Sequence, residues 1–201
     1  MTATRRYVSP KREAQAAATR EAILSAFAEQ LSGPGRDKLS PSEAAVRAGV
    51  SLRTVHFHFP NEESQILALG NWLDRQLYPE GVVLAAGPDD LPRYYRDIHA
   101  MALRHPLTRA LSASRSGVWQ EVRNRRRIER LDAIRRAVKA IGAPAKATED
   151  ATAMLLSLSG ADASYRLIDH GLALERAPDV IASTVALIVS QLRENRRAEL
   201  T

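Results

Sequence analysis

Residues Ala48 to Ser64 read AGVSLRTVHFHFPNEES, and the fold turns on how the run Thr54-Val55-His56-Phe57-His58-Phe59 is taken. As a strand, its alternation would set His56 and His58 on one face, two side chains apart and poised to share a metal ion. As a helix, the two rings diverge by about 200° and no such pair exists. The flanks favour the helix. Gly49 sits in a tight turn before it, Ser51 stands where a helix N-cap belongs, and Pro60 ends it. No metal site is expected.

The helical reading extends outward. Ser40-Pro41-Ser42-Glu43 is a capping box with proline at the first helical position, so a short helix runs from there to Gly49. A second short helix spans 52–59. Two short helices joined by a glycine-containing turn form a helix-turn-helix, with Ala44, Ala45, Val50, Val55 and Phe59 supplying the contacts between them. Upstream, Ile23, Leu24, Phe27 and Leu31 mark one face of a helix over 11–31, which stops at SGPGRDKLS. Downstream, Asn61 caps a longer helix reaching about Tyr78, with Glu62 and Glu63 in its first turn.

This segment, SPSEAAVRAGVSLRTVHFHFPNEESQILAL, resembles the DNA-binding segment of TetR/AcrR-type transcriptional regulators. With the preceding helix, the resemblance covers about residues 11–75. It implies an all-α protein: an N-terminal three-helix DNA-binding domain with a helix-turn-helix, and a larger C-terminal helical domain for ligand binding and dimerisation. The expected divisions are a basic arm over 1–10, the DNA-binding domain over 11–60, a linking helix over 61–80 and the second domain over 81–201. The resemblance further implies a homodimeric repressor on a palindromic double-stranded DNA operator. A small-molecule effector would change the separation of half-sites that lie roughly 34–36 Å apart. The chain departs from the family pattern at Leu52, usually basic, at Arg53, usually Gly or Ala, and at Glu62, where a phosphate-binding lysine is common.

Chemistry assigns roles to the DNA-facing candidates Ser40, Ser42, Leu52, Arg53, Thr54, His56, Phe57 and His58. Arg53 at the front of a major-groove helix reaches guanine O6 and N7, or else a phosphate or solvent. Thr54 bonds phosphate or meets a thymine methyl. Phe57 lies four residues on from Arg53, on the same outward face, and suits a thymine methyl. Ser40 offers its hydroxyl and nearby backbone N–H groups to phosphate. Arg5, Arg6, Lys11 and Arg12 form a basic arm that follows the DNA backbone, enters the minor groove, or remains a solvated tail.

Charge agrees with an anionic partner. Residues 1–60 carry nine basic groups against five acids, so most of the net +6 lies at this end. The chain has 201 residues, 45% of them apolar, and no cysteine, which excludes disulfides and thiolate chemistry and suits a reducing cytoplasm. No apolar run is long enough to cross a membrane, and no secretory signal is expected.

The rest of the chain also reads as helical: 89–104, 106–114, 116–141, 148–170 and 178–197. Within 116–141 the apolar stripe changes face. Either one helix buries different sides at its two ends, or it breaks near Asn124. AMLLSLSGA and VIASTVALIVSQL are apolar over much of their circumference, so the last two helices have a second surface to cover. A second copy of the chain covers it most simply, through Leu155, Leu158, Asp162, Val180, Thr184, Leu187, Ile188 and Gln191. Two central helices in a monomer are the alternative. Candidate ligand-pocket residues are Trp72, Tyr95, His99, Trp119, Arg125, Met154 and Tyr165. RNRRRIER is interleaved with acids and reads as an ion-paired face. Nothing resembles a catalytic or cofactor motif, so neither an enzyme nor a cofactor is expected. The competing function is a DNA-binding architectural or protein-interaction factor that takes no small-molecule ligand.

Overall fold

The structure is a computed structural model that describes residues 9–32, 38–81, 83–113 and 117–199. Every regular element among them is helical: α1 (Pro10–Ser32), α2 (Pro41–Arg47), α3 (Leu52–His58), α4 (Glu62–Leu77), α5 (Leu91–Leu103), α6 (Pro106–Ala113), α7 (Gly117–Lys139), α8 (Ala145–Leu158), α9 (Ala161–Asp169) and α10 (Ala177–Glu199), with short 3-10 turns at Pro88–Asp90 and Leu174–Arg176. None of these helices is long and apolar enough to cross a membrane. Two compact units result, one ending at Trp72 and the other beginning at Leu73.

The first unit is built on local caps. Ser40 Oγ accepts from the backbone N–H of Glu43 at 3.3 Å and starts α2; Ser51 Oγ accepts from that of Thr54 at 3.1 Å and starts α3. Gly49 turns the chain between them at φ +65°, in the left-handed region that glycine enters without a Cβ penalty. Asn61 Oδ1 then accepts from Ser64 N–H at 2.8 Å, while Ser64 Oγ accepts from Asn61 N–H at 3.2 Å, a reciprocal pair at the head of α4. The core gathers Ile23, Leu24, Phe27 and Leu31 of α1, Ala44 and Ala45 of α2, and Val55, Phe59, Ile66 and Leu69. Phe27 meets Phe59 edge to face at 6.0 Å.

In the second unit α5 lies along α10, and their core takes in Ile134, Val138 and Ile141 together with Leu155 of α8. Residues 117–139 form one helix, which answers the question posed by its shifting apolar stripe. The segment expected as one helix over 148–170 is instead two, α8 and α9, parted at Ser159-Gly160. Side chains from another helix make that break tolerable. Tyr95 donates its hydroxyl hydrogen to Leu155 O at 2.6 Å, and one turn on along α5 His99 Nε2 contacts Leu158 O at 2.9 Å. Carbonyls at a helix C-terminus lack intrahelical donors, and here α5 supplies them.

Candidate nucleic-acid interface and ligand cavity

Helix α3 divides its side chains cleanly. Val55 and the following Phe59 are fully buried, whereas Arg53, His56 and Phe57 are exposed, Phe57 at 82%. Leu52, at the front, is also exposed. Leaving a phenylalanine this bare costs hydrophobic free energy in water, so the exposed row suits contact with another surface. Ser42 is exposed and Ser40 half-buried, their hydroxyls 3.1 Å apart at the start of α2. Glu62 is exposed in the first turn of α4.

Two expected contacts have internal duties. Thr54 is half-buried and its hydroxyl pairs with Ser51 Oγ at 2.8 Å, reinforcing the α3 cap. His58 is half-buried too, held between neighbours: it meets the Phe57 ring edge to face at 5.3 Å between centroids and the Phe59 ring at a tilt at 6.2 Å. Burial, and then the charge of Arg20, lower its pKa below the usual histidine value, so it is a poor source of positive charge for phosphate. Lys11 and Arg12 are exposed on the first turn of α1 rather than on a loose arm, because that helix already starts at Pro10. Arg5 and Arg6 lie outside the described residues.

Helix α1 grips both ends of the helix-turn-helix, through residues that motif reading did not single out. At one end Gln30, buried on the core face, exchanges hydrogen bonds with Ser40: Ser40 N–H donates to Oε1 at 2.9 Å, and Nε2 donates to Ser40 O at 3.1 Å. At the other end the Arg20 guanidinium lies 4.5 Å from the Phe59 ring centroid and donates to His58 O at 3.4 Å. An ion pair between Arg47 and Glu29 at 3.2 Å adds a surface tie. The signal was present as polar residues at helical spacing from the apolar stripe, Arg20 four residues before Leu24 and Gln30 three after Phe27. Helix α4 joins the same unit through Trp72, whose indole N–H donates to the Glu21 carboxylate.

The described residues among the expected ligand-pocket set, Trp72, Tyr95, His99, Met154 and Tyr165, do not converge. Trp72 belongs to the first unit and is occupied by Glu21. Tyr95 and His99 are buried and spend their polar atoms on the α8 carbonyls; His99 Nδ1 also meets Ser164 Oγ at 2.8 Å. Because Leu158 O only accepts, Nε2 carries the imidazole proton and Nδ1 accepts from the serine. Burial pushes this histidine's pKa down to about 4. Met154 is 53% exposed on α8 and lines nothing inward. Tyr165 is half-buried beneath the Arg109 guanidinium, 5.4 Å from its ring centroid. The side chains of Trp119 and Arg125 lie outside those described. A cavity of about 140 Å³ opens elsewhere in the second unit, against α5, and none of the five described residues of that set is among those lining it.

Among the expected dimer-face residues, Leu155 is fully buried in the core of its own unit and presents nothing to a partner, because α8 turns it toward α5 and α10. Leu158, Asp162, Val180, Thr184 and Ile188 are half-buried, and Gln191 is exposed. Leu187 is 71% exposed.

Solved structures share this architecture. NalD, the secondary repressor of the MexAB-OprM multidrug efflux pump in Pseudomonas aeruginosa, aligns with a TM-score of 0.54 at 22% identity, over 88% of this chain and 96% of its own. A transcriptional regulator from Rhodococcus sp. Rha1 aligns with a TM-score of 0.53 at 20% identity, over 87% and 96%. A TetR transcriptional regulator from Rhodococcus sp. RHA1 gives 0.51 at 19%, over 89% and 99%. No protein-family model and no curated protein matches the sequence. The chain has the fold of TetR-type regulators: a helix-turn-helix unit followed by a larger helical unit.

Proposed function

We propose that this chain, with the fold of TetR-type regulators, is a DNA-binding transcriptional regulator that acts as a homodimeric repressor on a palindromic operator and leaves it when a small molecule binds the second unit. The observation that carries the reading is α3, with Val55 and Phe59 locked inside while Arg53, His56 and Phe57 stand in solvent. Such a helix has the side chains for the major groove, where an arginine pairs with guanine and an apolar group meets the thymine methyl. The other contacts, from Ser40, Ser42, Lys11 and Arg12, would position the unit on the phosphate backbone.

Homodimerisation is supported by the exposed Leu187 on α10 and Met154 on α8, large apolar groups that a second copy would cover. A dimer sets two α3 helices at a fixed spacing, and an effector that prefers another spacing lowers operator affinity by linkage. The cavity in the second unit supports a ligand-responsive protein over an architectural factor without a ligand. The test is selection of bound fragments from random DNA with the full-length protein. A palindromic consensus whose binding weakens steeply with salt is expected. Recovery of no consensus, or of a single unrepeated half-site, would overturn the homodimeric reading.

A further inference from the structure

Among the described residues of the first unit, three large apolar side chains are exposed, and all three lie in the helix-turn-helix: Val46 on α2, and Leu52 and Phe57 on α3. On α3 the exposed set is Leu52, Arg53, His56 and Phe57, which at 100° per residue fills an arc of about 140° away from the buried Val55. Thr54 is drawn out of this set, half-buried with its hydroxyl on Ser51 Oγ at 2.8 Å. Half of the outward arc is therefore hydrocarbon, and only Arg53 and His56 bring polar atoms to it.

The composition of that arc limits what it can read. Most base edges in the major groove are told apart by hydrogen-bond donors and acceptors, which Leu52 and Phe57 cannot engage; their one target there is the C5-methyl group of thymine. Cytosine methylated at C5 carries the same methyl at the same place on the ring. A hydrocarbon side chain makes no hydrogen bond to the neighbouring O4 or N4 group, so it meets thymine and 5-methylcytosine alike, and uracil and cytosine both as blanks. A protein partner fits this row less well. The α3 helix has seven residues and is roughly 10 Å long, a match for a groove about 12 Å wide. Its four outward side chains fall far short of the roughly 20–30 residues a side in a stable protein interface.

We propose that Leu52 and Phe57 make α3 a reader of pyrimidine C5-methyl groups, for which 5-methylcytosine stands in for thymine, so that cytosine methylation at those operator positions tightens binding. The inference rests on α3 being the DNA-reading helix of the proposed regulator.

Anisotropy titration of the full-length protein with variants of its selected operator tests it. Replacing each thymine singly by uracil locates the positions where the methyl counts. Each of those positions is then filled with cytosine or 5-methylcytosine, opposite guanine. Uracil should weaken binding about fourfold per methyl lost, and 5-methylcytosine should bind about fourfold tighter than cytosine at the same position. Phe57→Ala should erase the methyl response at one position and Leu52→Ala at another. Val46→Ala, on the helix that crosses the backbone in this motif, should leave both responses in place. Circular dichroism checks that all three variants keep their helicity. An operator indifferent to uracil, 5-methylcytosine no better than cytosine, or a methyl response that survives both α3 variants would overturn the inference while leaving DNA binding intact. Variants at Leu52 and Phe57 that bind every duplex like the parent chain would assign the apolar row to a protein partner, which also overturns it. Recovery of no operator refutes the DNA-binding reading itself.

Discussion

Gln30 and Ser40 are joined by a two-way hydrogen-bonded pair, side-chain amide to backbone amide, at 2.9 and 3.1 Å across a connection of ten residues. Gln30 is buried, so its amide is one of the few polar groups that the first unit takes out of water, and both of its functions are satisfied on one residue. Ser40 in turn caps α2. The order of the helix-turn-helix thus depends on a residue outside it.

Gln30→Leu should therefore destabilise the protein by about 1–3 kcal/mol, since it leaves the Ser40 N–H without its partner. Urea unfolding measures this. A loss below about 0.5 kcal/mol would mean that water or a shifted loop replaces the amide at little cost.

Arg53→Ala and Phe57→Ala should weaken operator binding in different ways while leaving the fold intact, because both side chains are exposed. The arginine variant should lose about 1–3 kcal/mol of discrimination at a guanine position. The phenylalanine variant should become indifferent to replacing one operator thymine by uracil, which removes only the methyl group. Competition binding with substituted operators separates the two. Unchanged sequence preference in both variants would show that α3 does not read bases.

His99 makes stability depend on pH. Its folded pKa is about 4 and its ordinary value 6.5, so between these limits the unfolded chain binds a proton that the native one refuses. Stability is fully present above about pH 6.5 and falls as the pH drops toward 4, by up to a tenfold change in the folding constant per pH unit. His99→Gln, which keeps a donor near Leu158 O, should flatten that slope. Denaturation midpoints across this window give the comparison, and an unchanged slope would place the titration elsewhere.

Leu187 and Leu155 should separate assembly from folding. Leu187→Glu puts a charge on an exposed apolar position and should shift the protein toward monomer in sedimentation at unchanged helicity. Leu155→Ala empties part of the core and should cost about 2–5 kcal/mol of folding stability. If Leu187→Glu sediments like the parent chain, α10 does not carry the subunit contact.

The all-α class and the helix-turn-helix were legible because their signals are local. Ser40, Ser51 and Asn61 each bond a group within three residues, and Gly49 takes a left-handed conformation that other residues rarely adopt. The rest depends on partners far away in the sequence. The break between α8 and α9 is not legible, because Ser159-Gly160 is tolerable inside a helix and its stabilisers, Tyr95 and His99, lie about 60 residues upstream. The same two residues looked like pocket residues for a sound reason, being polar on an apolar face, yet internal carbonyls use them. Leu155 reads as a dimer-face residue because periodicity reveals an apolar face without saying what it faces.

The split character of α3 has an evolutionary consequence. Leu52, Arg53, His56 and Phe57 are exposed, while the fixing of the helix falls to Ser51, Val55 and Phe59, with Arg20 at its end. Exposed positions tolerate exchange at little cost in stability. The outward four can therefore drift or be randomised together, letting copies of this chain diverge in the DNA they address while inheriting the same frame unchanged.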